Sequence, residues 1–591
     1  MKLSKEQQAV MGAPGHVLVK GGPGSGKTTI SILRAARVAA EKLQSEQRVL
    51  FLSFARATVS RVIEAIDEEA AIASEQKKRI EVETYHSFFW SIIKAHGYLI
   101  GLPRKLNLLT PSNEAIALAG VRSDFPSRGL SPAQKTAKAA AESAKRRQLA
   151  FDKGLICFDL FASLVHDLLS RSERLTALVC SRYPYIILDE FQDTNLSQWE
   201  VVQDLGAKAT ILALADPEQR IFEWLGADPA RLQQFDDRFS PLNVDLGKAN
   251  HRSVDTELTQ FGDHVLTGKF NENYKGLDLE LYPSNKNQAL GKLVSVTLRS
   301  IDRLKKSKPD GWSIAVLVPT KAMTRLVSDS FRSPPTTMPA INHRAVVEIE
   351  GAILAAEIIA FCLEQAPTGL LALGSKIEAF YRGKGGDSPT KRDLGTASKF
   401  EKHRLAFEQL GNDLSRLDKR NSFHALSKIY ASILQVSLQG DPYADWISVR
   451  DLLEGSGVSA LEEIAAEAKN LRLLERGGEL RQALAQDWRE NGSYLNALSA
   501  VENSFVQDHF AMTSKPEAGV VIMNMHKAKG KQFDEVILFD GWERHRNRIV
   551  RQNKRENLSS QVRQNFRVSV TRAKSRTTIL TPQRDKCVVI N

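Results

Sequence analysis

The stretch Gly21-Gly22-Pro23-Gly24-Ser25-Gly26-Lys27-Thr28-Thr29 constrains the fold more than any other in this 591-residue chain. Leu18 and Val19 before it read as a buried strand, and Thr29 to Ala40 after it has helical spacing, so the loop sits where a strand turns into a helix. Glycines there let backbone N–H groups close around phosphate oxygens with no Cβ in the way, and the helix N-terminus adds its positive end. The complete Gly-x-x-Gly-x-Gly-Lys-Thr spelling separates the stretch from an ordinary Gly-rich βα turn and predicts a cradle for the phosphates of a nucleotide. Gly22, Pro23, Gly24, Ser25, Gly26, Lys27, Thr28 and Thr29 form that cradle. Lys27 reaches the β- and γ-phosphates, and the Thr28 hydroxyl holds Mg²⁺.

Around this loop the chain alternates strands and helices. Strand signals at Val17 to Val19, Arg48 to Ser53 and Glu81 to Thr84 are separated by helices, which predicts parallel pairing in a doubly wound sheet. From Gly101 to Gly154 prolines and an Ala-rich basic helix interrupt the pattern; Lys135, Lys138, Lys145, Arg146 and Arg147 form either a solvated face or one turned towards DNA. Strands resume at Tyr185 to Leu188 and Thr210 to Leu214. A second α/β pattern has strands at Leu279 to Tyr282 and Ile314 to Val318. It gives way to helical periodicity from about Glu350 to Thr513, then returns at Val520 to Met523, Val536 to Phe539 and Thr577 to Leu580. The fold class expected is α/β: two parallel-sheet domains, each interrupted by a mainly helical insertion. The first spans 1–100 and 155–247 around an insertion at 101–154; the second spans 248–349 and 516–591 around an insertion at 350–515.

Lys plus Arg outnumber Asp plus Glu by 81 to 69, a net charge of +12 that is compatible with a polyanionic partner. Cys157, Cys180, Cys362 and Cys587 lack Cys-x-x-Cys spacing and read as free thiols in a reducing compartment, without a zinc or iron–sulfur site. With neither an apolar leader after Met1 nor an apolar run of about 18 residues, a soluble cytoplasmic protein is expected, with no membrane partner.

A second half of the nucleotide site comes after the strand Tyr185 to Leu188, which ends in adjacent carboxylates. Side chains alternate along a strand, so Asp189 is the metal-side residue with Thr28, and Glu190 is the base that orients and deprotonates the attacking water.

Asp189-Glu190-Phe191-Gln192-Asp193-Thr194-Asn195 resembles motif II of the UvrD/Rep/PcrA-type superfamily 1 DNA helicases, and further motifs agree in order. Gln7 resembles the adenine-reading Q motif. Phe51-Leu52-Ser53-Phe54 resembles motif Ia, and Thr84-Tyr85-His86-Ser87-Phe88 motif Ib. Ala215-Asp216-Pro217-Glu218-Gln219-Arg220-Ile221-Phe222-Glu223-Trp224 resembles motif III, and Asn250-His251-Arg252-Ser253 motif IV. The stretch from Met523 to Phe533, with His526 and Gln532, resembles motif V, and Val568 to Lys574 motif VI. The resemblance implies RecA-like domains 1A and 2A with insertions 1B and 2B. It implies that Gln219 senses the γ-phosphate, that Arg252 and Arg572 are arginine fingers, and that Gln7, His251 and Gln532 contact the nucleoside. Phe54, Tyr85, His86, Phe222, Trp224 and His526 would line the path of single-stranded DNA, where aromatic stacking grips any sequence.

Several positions depart from the family's usual spelling: Ala55-Arg56-Ala57 in motif Ia, Leu225 after Trp224, His251 for Tyr, Asn524 for Thr and Gln532 for Glu. The ordered motifs imply an ATP-dependent translocase or helicase moving 3′-to-5′ on single-stranded or partly duplex DNA. The alternative is a DNA-stimulated ATPase regulating a separate nuclease subunit, as the resemblance to the GajB helicase of Gabija-type antiphage systems implies. With no nuclease motif or added C-terminal DNA-binding module read after Arg572, nuclease action is expected from another polypeptide.

Overall fold

The computed structural model describes all residues except 1–2, 127–128, 221–225, 248–252, 254, 284, 309, 336, 347–349, 387–388, 470–477, 511–516, 543–547, 551–557 and 590–591. The chain divides into two compact units. One contains Met1–Ile93, Ala162–Val347 and Met512–Asn591; the other contains Lys94–Phe161 and Glu348–Ala511.

The first unit holds two six-stranded sheets whose described ladders are all parallel. In the first sheet β1 (Val17–Lys20), β2 (Val49–Ser53), β3 (Ile80–Thr84), β4 (Tyr185–Leu188), β5 (Thr210–Ala215) and β6 (Leu242–Asp245) lie in the order β3-β2-β4-β5-β1-β6. In the second, β7 (Leu277–Tyr282), β8 (Ser313–Val318), β9 (His343–Ala345), β10 (Gly519–Asn524), β11 (Phe533–Phe539) and β12 (Ala573–Pro582) lie in the order β9-β10-β8-β11-β12-β7. Every residue of β2, β4, β8 and β11 is buried, as parallel sheets covered on both faces require. The short edge strands β6 and β9 carry no apolar run, which is why the sequence pattern gives no strand there.

Parallel pairing fixes where the chemistry sits. Because β1, β2, β4 and β5 run the same way in neighbouring positions, the residues that come after them emerge at one edge, the usual ligand edge of such sheets. The pairings Lys20 with Ala215, and Leu188 with both Leu52 and Ala213, set the register there.

The second unit is helical, apart from a two-stranded ladder of Asn107–Leu109 and Leu155–Cys157 that the helical periodicity of the sequence does not signal. Its centre is the helix Glu350–Leu363, buried from Gly351 to Leu363 without a polar stripe, as befits a helix packed on all sides. Both inserted segments contribute to this one unit. The helix Pro111–Ser123 sets Ile116 against the core and donates from Ser112 Oγ to the Glu350 carbonyl at 3.3 Å. A Cβ at Gly383 would stand 2.9 Å from the Ser112 carbonyl oxygen, so glycine permits that approach. On the basic helix Pro132–Lys153, Arg146 pairs with Glu114 at 2.5 Å and Asp159 at 3.3 Å, and Lys138 with Glu142 at 3.9 Å. Those two cations answer internal carboxylates.

All four cysteines are buried free thiols. Among the described residues no helix is long and apolar enough to cross a membrane.

Candidate active site

The loop after β1 is shaped by its glycines. Gly24 and Gly26 have φ of 78° and 86°, and Gly26 caps the helix Lys27–Glu41 in the left-handed region that Cβ-bearing residues avoid. Lys27 Nζ donates to the Gly21 and Gly22 carbonyls at 2.5 and 3.0 Å, which folds the ammonium over the loop. Ser25 Oγ is buried with no hydrogen-bond partner among the described residues, a donor suited to a phosphate oxygen.

Facing the loop, Asp189 is buried, accepts from Ser53 Oγ at 3.0 Å, and its pKa is pushed up to about 6 by burial and by the neighbouring Glu190 charge. Glu190 has φ 54°, a left-handed conformation that costs a non-glycine residue about 1 kcal/mol or more. Burial alone would raise its pKa; the Lys529 and Lys27 charges and a 2.6 Å hydrogen bond from Gln192 Nε2 reverse that, and hold it below the ordinary glutamate value. Gln192 Oε1 in turn accepts from the Asp216 N–H at 3.0 Å, and Asp216 Oδ2 accepts from Gln219 Nε2 at 2.6 Å. Motif II and the motif III loop are thus one hydrogen-bonded chain.

The second sheet closes this chain. Arg572, after the helix Ser560–Val570, is buried and donates from Nη2 to Gln219 Oε1 at 2.8 Å. Desolvation draws its pKa down to about 10, still cationic at neutral pH. A cavity of about 500 Å³ is lined by Ser25, Lys27 and Thr28 from the loop, by Asp189, Glu190 and Gln219, and by Gly530, Gln532 and Arg572 from the second sheet. Gly530 has φ 78°, and a Cβ there would meet Thr58 Oγ1 of the helix Arg56–Glu68 at 2.8 Å, so glycine lets the two sheets' loops meet.

Thr28 and Asp189 offer a hydroxyl and a carboxylate to the same cavity. Among the described residues no cluster of three or more His, Cys, Asp or Glu could hold a metal alone. That donor set fits Mg²⁺, which takes one or two protein oxygens and completes its shell with phosphate and water.

The model of the UvrD/REP helicase N-terminal domain matches residues 3–154 and 131–240. The ATP-dependent DNA helicase PcrA of Staphylococcus aureus strain Mu50 is 23% identical over 581 residues, covering 90% of this chain and 77% of that protein. The protein of the same name from Staphylococcus epidermidis strain ATCC 12228 is 23% identical over 601 residues with the same shares. Over residues 3–240 the chain resembles the UvrD/Rep helicases, and over most of its length it is similar to proteins named PcrA.

Within this UvrD/Rep frame the remaining expected site residues separate. Gln7 Oε1 accepts from the Ser4 N–H at 3.1 Å in a helix capping box, and its Nε2 lies against Gly26, beside the loop. Tyr85 is only 2% exposed and stacks on Phe54 with centroids 4.6 Å apart. This corrects its reading as a DNA-stacking residue, because its ring offers no face to a base; Phe54 above it is partly exposed. His86 is a half-buried imidazole whose pKa burial lowers to about 4, and burial also lowers that of His526. Phe222, Trp224, His251 and Arg252 lie outside the described residues.

Three cations at the site escaped sequence reasoning. Lys529 of motif V is 8% exposed; it pairs with Asp193, donates to the Gln219 carbonyl at 2.6 Å and lies 3.6 Å from Glu190. Arg61 lines the cavity beside Asp189 and Glu190, with its pKa lowered by burial. Arg567, on the helix Ser560–Val570, pairs with Glu218 at 2.8 Å and Asp263 at 2.9 Å. For Lys529 the available signal was the density of cations inside motif V; Arg61 and Arg567 lie outside the motifs and carried none.

Proposed function

We propose that the chain is an ATP-dependent DNA translocase or helicase that moves 3′-to-5′ on single-stranded DNA, with ATP hydrolysed between the two sheets. The observation that carries this is the direct Arg572–Gln219 hydrogen bond in a cavity that also holds Lys27, Asp189 and Glu190. The relatives bearing the name ATP-dependent DNA helicase support the same reaction class.

In this reading Gly22 to Thr29 hold the triphosphate, with Lys27 leaving the loop carbonyls to meet its β- and γ-oxygens. Thr28 and Asp189 hold Mg²⁺, which when bound neutralises charge on the phosphate oxygens. Glu190, ionised at neutral pH, accepts a proton from water aligned with the γ-phosphorus. Gln219 contacts the γ-phosphate, and Arg572 answers the charge that spreads over the transferred group, a contribution worth about 10³ to 10⁵ in rate. Because Arg572 and Gln219 stand on different sheets, hydrolysis depends on how closely the sheets approach, and release of phosphate loosens that approach. Phe54, beside the same edge, couples the movement to a stacked base.

The test is the ATPase rate with and without a single-stranded oligonucleotide, and then strand separation on duplexes tailed at one end. Stimulation and unwinding from a 3′ tail are expected. Glu190→Gln should lower turnover by about 10³ while leaving nucleotide binding intact. Wild-type turnover in that variant would overturn the assignment of the base. Stimulated hydrolysis without movement along DNA would favour a role in signalling to a separate effector.

A further inference from the structure

Arg567 is a deeply buried charge outside the lining of the nucleotide cavity, at 1% exposure. Its stem passes over Gly262 of the helix Leu258–Thr267, where a Cβ would come within 3.0 Å of Arg567 Cγ. Nε and Nη2 both donate to Asp263 Oδ1, at 3.2 and 2.9 Å, which ties the guanidinium to its own domain. Nη2 also reaches Glu218 Oε2 of the motif III loop at 2.8 Å. The remaining nitrogen, Nη1, has no hydrogen-bond partner among the described residues and points at Asp216 Oδ2 from 4.0 Å.

Asp216 is the acceptor that orients Gln219, and Gln219 is the acceptor for Arg572. Arg572 returns to the first residue's helix by donating from Nε to the Val568 carbonyl at 2.9 Å, and Thr571 Oγ1 donates to the Arg567 carbonyl at 2.9 Å. The contacts therefore form a ring: Arg567, the motif III loop through Glu218 and Asp216, Gln219, Arg572, and back along one helical turn to Arg567. If Arg567 served only to clamp two helices, Asp263 would suffice. An additional arm across the cleft, and a buried N–H aimed at the carboxylate that sets Gln219, are what a positioning device needs.

We propose that Arg567 is a positioning residue: it fixes the motif III loop so that the Gln219 amide faces both the γ-phosphate and Arg572, making the two sheets' approach and the γ-phosphate sensor one event. The inference rests on the roles proposed above for Gln219 and Arg572. Loss of Arg567 leaves Glu218 and Asp216 without their tie to the helix Ser560–Val570, so Gln219, still bonded to Asp216, shifts with a loosened motif III loop and the sensor and the finger no longer engage together. Nucleotide affinity, which the Gly22 to Thr29 loop supplies, is little changed.

The experiment uses the full chain with a single-stranded oligonucleotide, and reads kcat and KM for ATP, binding of a fluorescent ATP analogue without DNA, and the thermal midpoint. Glu218→Gln, at a half-exposed position that leaves the Asp263 pair intact, should lower stimulated kcat about tenfold with KM and the midpoint nearly unchanged. Arg567→Gln should lower kcat further, and combining it with Gln219→Ala should add nothing to Gln219→Ala alone, because both act through one amide. Additive losses in that cycle, or a Glu218→Gln enzyme with wild-type kcat, overturn the proposal. If Arg572→Ala and Gln219→Ala themselves kept full turnover, the reading of the site would fail instead.

Discussion

Strand end for strand end, the two sheets of the first unit carry different kinds of residue to their common cavity. Among the described residues the first sheet supplies the phosphate loop with Lys27, the cation Arg61, and Asp189, Glu190, Asp193, Asp216 and Glu218; the second reaches these carboxylates with Lys529 and Arg567, and the Gln219 amide with Arg572. Each half taken alone would bury charge without its counterpart, which is costly in a medium of low polarity. Together they compensate, and in the proposed function the first sheet binds nucleotide while the second makes its turnover conditional. A site divided this way reports on the distance between two bodies, whereas a site built on one sheet reports only on occupancy.

Removing the second sheet's main contribution should break this division most severely. Arg572→Ala should reduce DNA-stimulated phosphate release by about 10³ or more with nucleotide affinity changed far less; a variant that loses affinity and rate equally would show Arg572 to be part of the binding site. Lys529→Ala should come next, destabilising the unit by about 3–5 kcal/mol, because it leaves Asp193 buried near Glu190 without its ion-pair partner. The check is chemical denaturation, with the double variant Lys529→Met, Asp193→Leu expected to recover most of the loss.

A third effect belongs to the first sheet alone. His86 has its folded pKa lowered from 6.5 to about 4, so the unfolded chain binds the extra proton first and stability falls as pH drops from 6.5 towards 4. The loss should approach about 3 kcal/mol, and His86→Gln should flatten that part of a denaturation-versus-pH curve. Smallest is the DNA contact: Phe54→Ala should weaken single-strand binding by about 1–3 kcal/mol in an anisotropy titration, while Tyr85→Phe should leave it unchanged.

Much of this was legible in the chain because local rules govern it. The strand-loop-helix at Gly21 to Thr29 and the acids after Leu188 are each written within a short stretch, and parallel pairing then brings them together without further information. Edge strands β6 and β9 were not legible, since they are short and lack an apolar run. Nor was the burial of Tyr85: an aromatic in a motif looks the same whether its ring meets a base or Phe54. Lys529 and Arg567 were hidden for another reason. Their partners Asp193 and Asp263 lie 336 and 304 positions away, so only the folded chain shows which of the basic residues in and beside motifs V and VI are buried and answered.

The shared core of the helical unit bears on how the polypeptide is made. Ser112 and the Glu350 carbonyl it meets are separated by 238 positions. At about 5–20 residues per second of synthesis, the helix Pro111–Ser123 waits on the order of 10–50 s for the Glu350–Leu363 helix it must cover. Until then its apolar side is a surface in search of a partner, and the first sheet has already received every strand. Maturation is therefore staggered on the ribosome: the first sheet and its Gly21 to Thr29 loop precede the helical body, and strands β10 to β12 of the second sheet follow it.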